Sequence, residues 1–372
     1  TVTLDGGGNA TVSDAELGAD NDGNGNWNGA ILGVRRLGSA VPTDVFGFNT
    51  VGALFTVNGD ALSGTLQSGG QTFATYAYGT GILGVTFTSS GTAATTALVQ
   101  DVLRRITYTN DTPDGDMTLR FSLSDGESSA TGNVTVTSDT IYITNTTDTA
   151  TVNASNGVSF SEAVAIAAAD ATGSQTLVFT NAFNGTINLA GNLAINESLT
   201  LDASAAPGTT IMGSTISLGG ATMLTLTNSG GTFTFNNLLA GTGTLRKEGA
   251  GTLALRHPLN GFSWSGDIVV AGGKLDVASA DHLSSASLTL DGGTFSTGSS
   301  SFVMLNAITL GAAGGTIEIS GAAESQVTLS GVISGSGSLT KTGQAMLELS
   351  GSNSNTAGTN VIAGTLIASH AN

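Results

Sequence analysis

The stretch LSGVISGSGSLTKTGQAMLELSGSNSNTAGTNVIAGTLIAS, residues 329–369, decides how this chain folds, because residues 239–279 repeat it. Leu245, Lys247, Gly249, Leu253 and Leu255 fall on Leu339, Lys341, Gly343, Leu347 and Leu349, each 94 positions apart, and VVAG at 269–272 falls on VIAG at 361–364. Within each copy, short alternating segments such as MLELS and NVIAGTLIA are separated by Gly, Ser and Asn. Alternation of period two is what a strand imposes, since successive side chains point to opposite faces, and the helical period is absent. An interval of 94 residues is too long for one supersecondary unit. It divides into four coils of about 23 residues, inside the range of solenoid repeats. The reading is a parallel β-solenoid of about nine or ten coils stacked at about 4.8 Å, with inward ladders of Leu, Ile and Val and glycine at the corners. Leu245, Leu253, Leu255, Leu339, Leu347 and Leu349 are expected to point inward.

The phrase G-x-G-x-L-x-K-x-G-x-x-x-L-x-L, closing with G-K-L or G-T-L, resembles the autotransporter-associated β-strand repeat of bacterial surface passenger domains. The resemblance covers about 237–279 and 280–369, and the first copy departs from it at RHPLNGFSW, residues 256–264. Upstream, VSFSEAVAIAAADA (158–171) reads as a helix capped by Ser159 or Ser161. The order ITNTTDT, this helix, TLVFT, TINL is similar to the entry of right-handed parallel β-helices of bacterial surface proteins, in which a short helix covers the first coil. Such a cover is physically needed, because a bare terminal coil offers unpaired backbone to other chains.

Residues 1–138 lack the coil period. ALFTVN (53–58), GILGVTFTS (81–89), RRITYTN (104–110), MTLRFSLSD (117–125) and NVTVT (133–137) read as antiparallel strands, with Leu119, Phe121 and Leu123 facing in and Thr118, Arg120 and Ser122 facing out. ALVQDVLRRI (97–106) suits one short amphipathic helix or turn. The segments VSDAELGADNDGNGNWNGAIL (12–32), DVFGF (44–48), LVQDVLRRITYTN (98–110) and TLRFSLSDG (118–126) resemble cadherin-like, immunoglobulin-type modules of giant bacterial surface proteins. The fold class is therefore all-β, with an immunoglobulin/cadherin-like sandwich over 1–138, a connector over 139–151 and a right-handed parallel β-helix with a capping helix over 152–372.

The composition narrows the function. A net charge of −17 repels nucleic-acid phosphates and anionic membranes and favours divalent cations. Zero Cys in a Gly-rich β chain fits an exported bacterial protein at the cell surface or outside the cell. There is no signal peptide and no apolar run of 18 residues, and Thr1 opens in mid-strand pattern, so the chain reads as a piece of a longer one.

The leading site candidate is the acidic loop Asp14 to Asn26. Asp20, Asp22 and Asn24, spaced by two and followed by Gly25, resemble the first half of a calcium loop, in which one turning backbone aims three oxygens at a cation. Position 12 would be Ile31, so the remaining oxygens for Ca2+ must come from Asp14, Glu16 or Asp44. The alternative is a solvated turn whose side chains bond their own backbone. Asp111, Asp114 and Asp116 read as hairpin punctuation, and the basic doublets at 35–36 and 104–105 read as partners for nearby carboxylates. His257, His282 and His370 lack metal spacing, and the solenoid's acids are scattered singly, which disfavours an enzyme. Phe262 and Trp264 read as rings packed on their own coil. What remains is a rigid structural or adhesive segment that meets a host, surface or matrix ligand, with neighbouring copies joined end to end in a filament as the second reading. A polysaccharide-active enzyme with two carboxylates about 5–10 Å apart in a groove is the third.

Overall fold

The computed structural model describes residues 1–149, 151–153, 156–170, 174–180, 183–256, 263–298 and 301–370. The chain forms two compact units, Thr1–Ser138 and Asp139–Asn372.

The first unit consists of β1 (Val2–Thr3), β2 (Ile31–Arg36), β3 (Val45–Phe48), β4 (Thr56–Gly59), β5 (Ser63–Ser68), β6 (Gln71–Gly79), β7 (Ile82–Phe87), helix α1 (Thr96–Arg104), β8 (Ile106–Thr109), β9 (Met117–Ser124) and β10 (Ser129–Val136). Two antiparallel sheets, ordered β1-β8-β3 and β10-β9-β2-β7-β6-β5-β4, share one core. Phe48 of the smaller sheet meets Tyr76 of the larger edge to face at 5.3 Å. The alternation on β9 is as the sequence implies, with Leu119 buried and Phe121 and Leu123 packed against the core. The ambiguous segment after Ala97 is a helix. Thr95 caps it by accepting from the Leu98 N–H, and Leu98, Val99 and Val102 face the core. What the unit shares with cadherin-like modules is its pair of antiparallel sheets.

The second unit is a parallel β-solenoid. Its first face is a sheet of nine strands, from Thr140–Ile143 to Ile333–Gly335. A second face runs from Thr186–Leu189 to Thr359–Val361. A third wall closes each coil. In early coils it is the far half of a bent strand, as in Thr210–Leu218, whose register breaks between Gly213 and Ile216. Later it becomes a separate sheet of four strands, Phe302–Met304 to Thr365–Ala368. Nine rungs make about eight turns, a stack of about 38 Å at the strand spacing. The inner ladder of the first face runs Leu177, Leu201, Leu226, Lys247, Val270, Leu290, Leu310. Leu245, Leu253, Leu255, Leu339, Leu347 and Leu349 are all buried, as the repeat demanded.

Two expectations need correction. The segment 139–151 is not only a connector, because Thr140–Ile143 lies parallel to Gln175–Phe179 and buries Ile141 and Ile143 in the solenoid core. Nor do four coils make up the 94-residue interval. Four coils carry Leu245 through Ile268, Leu288 and Ile308 to Ile333, only 88 residues on, and the last six residues turn a corner onto the second face. The two sequence copies therefore start on different walls of the same prism.

Helix α2 (Phe160–Ala169) packs on the first coils, where the ring of Phe160 stacks on Phe179 at 6.3 Å. Ser159 is its cap, and the Glu162 carboxylate accepts from the Ser159 N–H at 2.8 Å, a closed capping box. Ser161 instead donates to the buried Asp148, which also accepts from the Ala190 N–H and ties helix to coil.

Candidate functional site

The acidic loop is built on its own backbone. Asp14 accepts from the Glu16 and Leu17 N–H groups at 2.9 and 2.8 Å, and Asn24 donates to the Asn21 carbonyl. Asn21 and Asp22 both stand at φ 56°, and Gly25 turns at φ 85° where a Cβ would collide with Thr96 at the start of α1. The loop is pinned to that helix by the Thr96 N–H donating to Asn24 and by the Trp27 indole donating to the Thr96 hydroxyl at 3.0 Å. Glu16, Asp20, Asp22 and Asn24 are exposed and Asp14 half-buried. Among the described residues, no three acidic or histidine side chains are gathered around a point where one cation could sit.

Asp44 is committed elsewhere. It is fully buried, its Oδ1 accepting from Arg36, Tyr108 and Asn110 and its Oδ2 from the Arg36 Nε at 2.9 Å. Arg36 also reaches both oxygens of Asp114, at 2.8 and 2.7 Å. Burial alone would depress the Arg36 pKa, but the bonds to Asp44 and Asp114 outweigh it and hold the guanidinium above its ordinary value. Burial, with the Asp44 carboxylate beside it, pushes the Tyr108 phenol up. The cation that Asp44 serves is thus an arginine of its own chain, as the basic doublets suggested. Asp44 has no oxygen to lend to the loop.

Cavities hold little acid chemistry. One of about 550 Å³ lies in the first unit and is lined by Asp5; a second of about 380 Å³ is lined by Asp60. A third, of about 170 Å³ between α2 and the first coil, has no titratable side chain. On the solenoid, Asp276 and Glu318 share a column of the second face with Ser296 between them, about 10 Å apart at the strand spacing. They stand on a sheet wall, Asp276 bonded to Arg256 and Glu318 to Lys274 at 2.9 Å, each neutralised by its own cation.

The feature that the sequence reading missed is the lysine in L-x-K-x-G. Lys247 occupies a core rung between Leu226 and Val270, and Lys341 one between Ile317 and Val361; both are fully buried. Each ammonium curls to the next corner. Lys247 donates to the carbonyls of Glu248 and Gly249, and Lys341 to those of Thr342, Gly343 and Ala363 at 2.7, 2.8 and 3.1 Å. Gly249 and Gly343 make the corner at φ 73° and 75°, and a Cβ there would press on Asn228 and Ile319 carbonyls at 2.3 and 2.1 Å. Glycine sets the bend and lysine satisfies the carbonyls that the bend turns inward. Burial pushes Lys247 down to about 8 and lowers Lys341 as well. The signal was present as two Lys-x-Gly matches in register, but a charged residue in a strand core is discounted by pattern.

Trp264 is buried and its indole donates to the Gly243 carbonyl at 3.3 Å, so it packs on its own wall; Phe262 lies outside the described residues, as does His257. His282 is buried and accepts from the Ala278 N–H, while His370 is exposed.

Two stretches of the sequence match a described repeat. Residues 245–277 and 339–368 match the passenger-associated-transport repeat, so the chain carries autotransporter passenger repeats, and they are the two copies that begin on different faces. The chain is also 45% identical over 76 residues to the Adhesin BmaC autotransporter of Brucella suis biovar 1 (strain 1330). That match takes in 20% of this chain and 2% of that protein, so the chain spans a small fraction of the relative's length. No solved structure matches the chain. No helix among the described residues is long and apolar enough to cross a membrane.

Proposed function

We propose that this chain is a non-catalytic segment of a bacterial cell-surface or secreted adhesin, in which the solenoid is a stiff structural element and the N-terminal unit a further module of the same chain. The observation that supports the reading is the coincidence of both passenger repeats with coils of one continuous hydrophobic core. A parallel ladder resists bending because each coil shares backbone bonds and side-chain contacts with the next. The similarity to an adhesin favours a host, surface or matrix ligand over soluble chemistry. Calcium belongs to this proposal as a cation bound weakly by Asp20, Asp22 and Asn24, with Asp14 or Glu16 beside them and Asp44 withdrawn.

Beads coated with the full chain should adhere to epithelial cells or matrix proteins above beads coated with an unrelated acidic protein. Adhesion equal to the control together with release of sugar from a polysaccharide panel would replace the adhesive reading with the enzymatic one.

A further inference from the structure

In the larger sheet of the first unit, β10 is the terminal strand, and nothing pairs with its outer edge among the described residues. Sheet edges are normally guarded by charge, proline or brevity. The opposite edge, β4, has only four residues and runs into Asp60, whereas β10 has eight, SATGNVTV, without one charge or proline. The side chains of β10 that face the core side alternate as Ala130, Gly132, Val134 and Val136, because these oppose Leu123, Phe121, Leu119 and Met117 on β9.

The small residues of that row border a cleft. The 550 Å³ cavity lies there, its apolar lining supplied by Leu32, Leu103, Phe121 and Leu123, with Asp5 and Asn133 at its polar parts. The smaller sheet ends at the two-residue strand β1. An unpaired ladder of N–H and C=O groups beside an open, partly apolar cleft is the combination that strand addition uses, backbone bonds giving affinity and the cleft accepting alternate side chains.

We infer that the β10 edge and this cavity bind an extended peptide strand, neutral or basic, with an apolar side chain seated against Phe121 and Leu123. The charge distribution selects the occupant. Thr1–Ser138 carries 13 acidic and 5 basic residues, so a second copy is repelled. The exposed Glu127 and the half-buried Asp125 in the turn that leads into β10, and Asp5 in the cavity, attract a Lys or Arg on the incoming strand. The inference deepens the adhesive reading by naming a surface and a partner chemistry, and it rests on the N-terminal unit being the displayed module.

The test uses the full chain and a library of short random peptides displayed on phage, followed by titration of the enriched peptide as a synthetic, labelled molecule. Enriched sequences should alternate apolar residues and carry a basic end, and the bound peptide should slow amide exchange along Ser129–Val136. Gly132 is the position to alter, because a Cβ there meets nothing within 4 Å. Gly132→Lys should keep the melting temperature and weaken the peptide about tenfold or more by aiming a charge into the cleft. Ala130→Glu is the second variant if the first does not fold, and the exchange map decides by itself if neither does. The inference is overturned if no peptide is enriched, if protection falls elsewhere, or if the folded variants bind as well as the parent. Sedimentation showing the parent dimerised through β10, and the variants monomeric, would overturn it in favour of a second copy. Beads that fail to adhere while the peptide still binds would sink the adhesive reading and leave this one standing.

Discussion

Each unit draws cations out of water, and the two units hold them in opposite ways. In the antiparallel unit Arg36 lies between two carboxylates, Asp44 and Asp114, brought together from distant parts of the chain. In the solenoid the Lys247 and Lys341 ammonium groups donate to carbonyl oxygens, and the neighbouring Glu248 carboxylate offsets only part of the burial of Lys247. The difference follows from topology. An antiparallel sandwich joins remote segments and can collect opposite charges at one point, whereas a parallel coil meets only its neighbours and offers the carbonyls of its own corners. The arginine is stabilised as an ion and the lysines are penalised as ions, so the two units should answer differently to mutation and to pH.

The largest effect should come from breaking the ladder. Leu347→Asp places an unpaired charge in a continuous apolar wall and should cost more than about 4 kcal/mol, removing the solenoid's melting transition and leaving that of the first unit. A single transition lost as a whole would show that the two units melt together. Next, Arg36→Ala strands two carboxylates, one fully buried, and should cost the first unit about 3–5 kcal/mol by denaturant titration. Arg36→Lys should recover only part of that, since an ammonium cannot fork between Asp44 and Asp114.

In the solenoid the substitution Lys341→Met should be milder, about 1–3 kcal/mol, the cost of three corner carbonyls losing their donor. A gain in stability would mean that the ladder prefers a hydrocarbon and that the corner satisfies itself with water. The pH response sharpens the point. Lys247 falls from an ordinary 10.5 to about 8 on folding, so between these values the unfolded chain binds more protons and the solenoid should become more stable as pH rises. The penalty is fully present below about 8 and is relieved toward 10.5. Lys247→Met should flatten that slope in the solenoid transition, and a slope unchanged by the substitution would place its origin elsewhere. The smallest effect belongs to calcium. Loop oxygens this exposed should bind weakly, adding about 0.4 kcal/mol to the first unit when calcium equals its Kd. Asp22→Ala should abolish the rise in melting temperature, and identical curves in calcium and chelator would reduce the loop to a turn.

The sequence by itself determined the local grammar: strands by alternation, corners by Gly, the buried leucines of both copies, and α2 with its Ser159 cap. These are properties of residues close in sequence, and each coil repeats them. Tertiary structure alone decided where local units land. The face on which a strand sits is the sum of every corner before it, so 94 residues became four coils and one further wall, and Lys247 and Lys341 came to occupy different sheets. Long-range packing likewise decided that Asp114 meets Arg36 and that Tyr108 meets Asp44, because such neighbours are set by how distant strands are brought together and not by spacing along the chain.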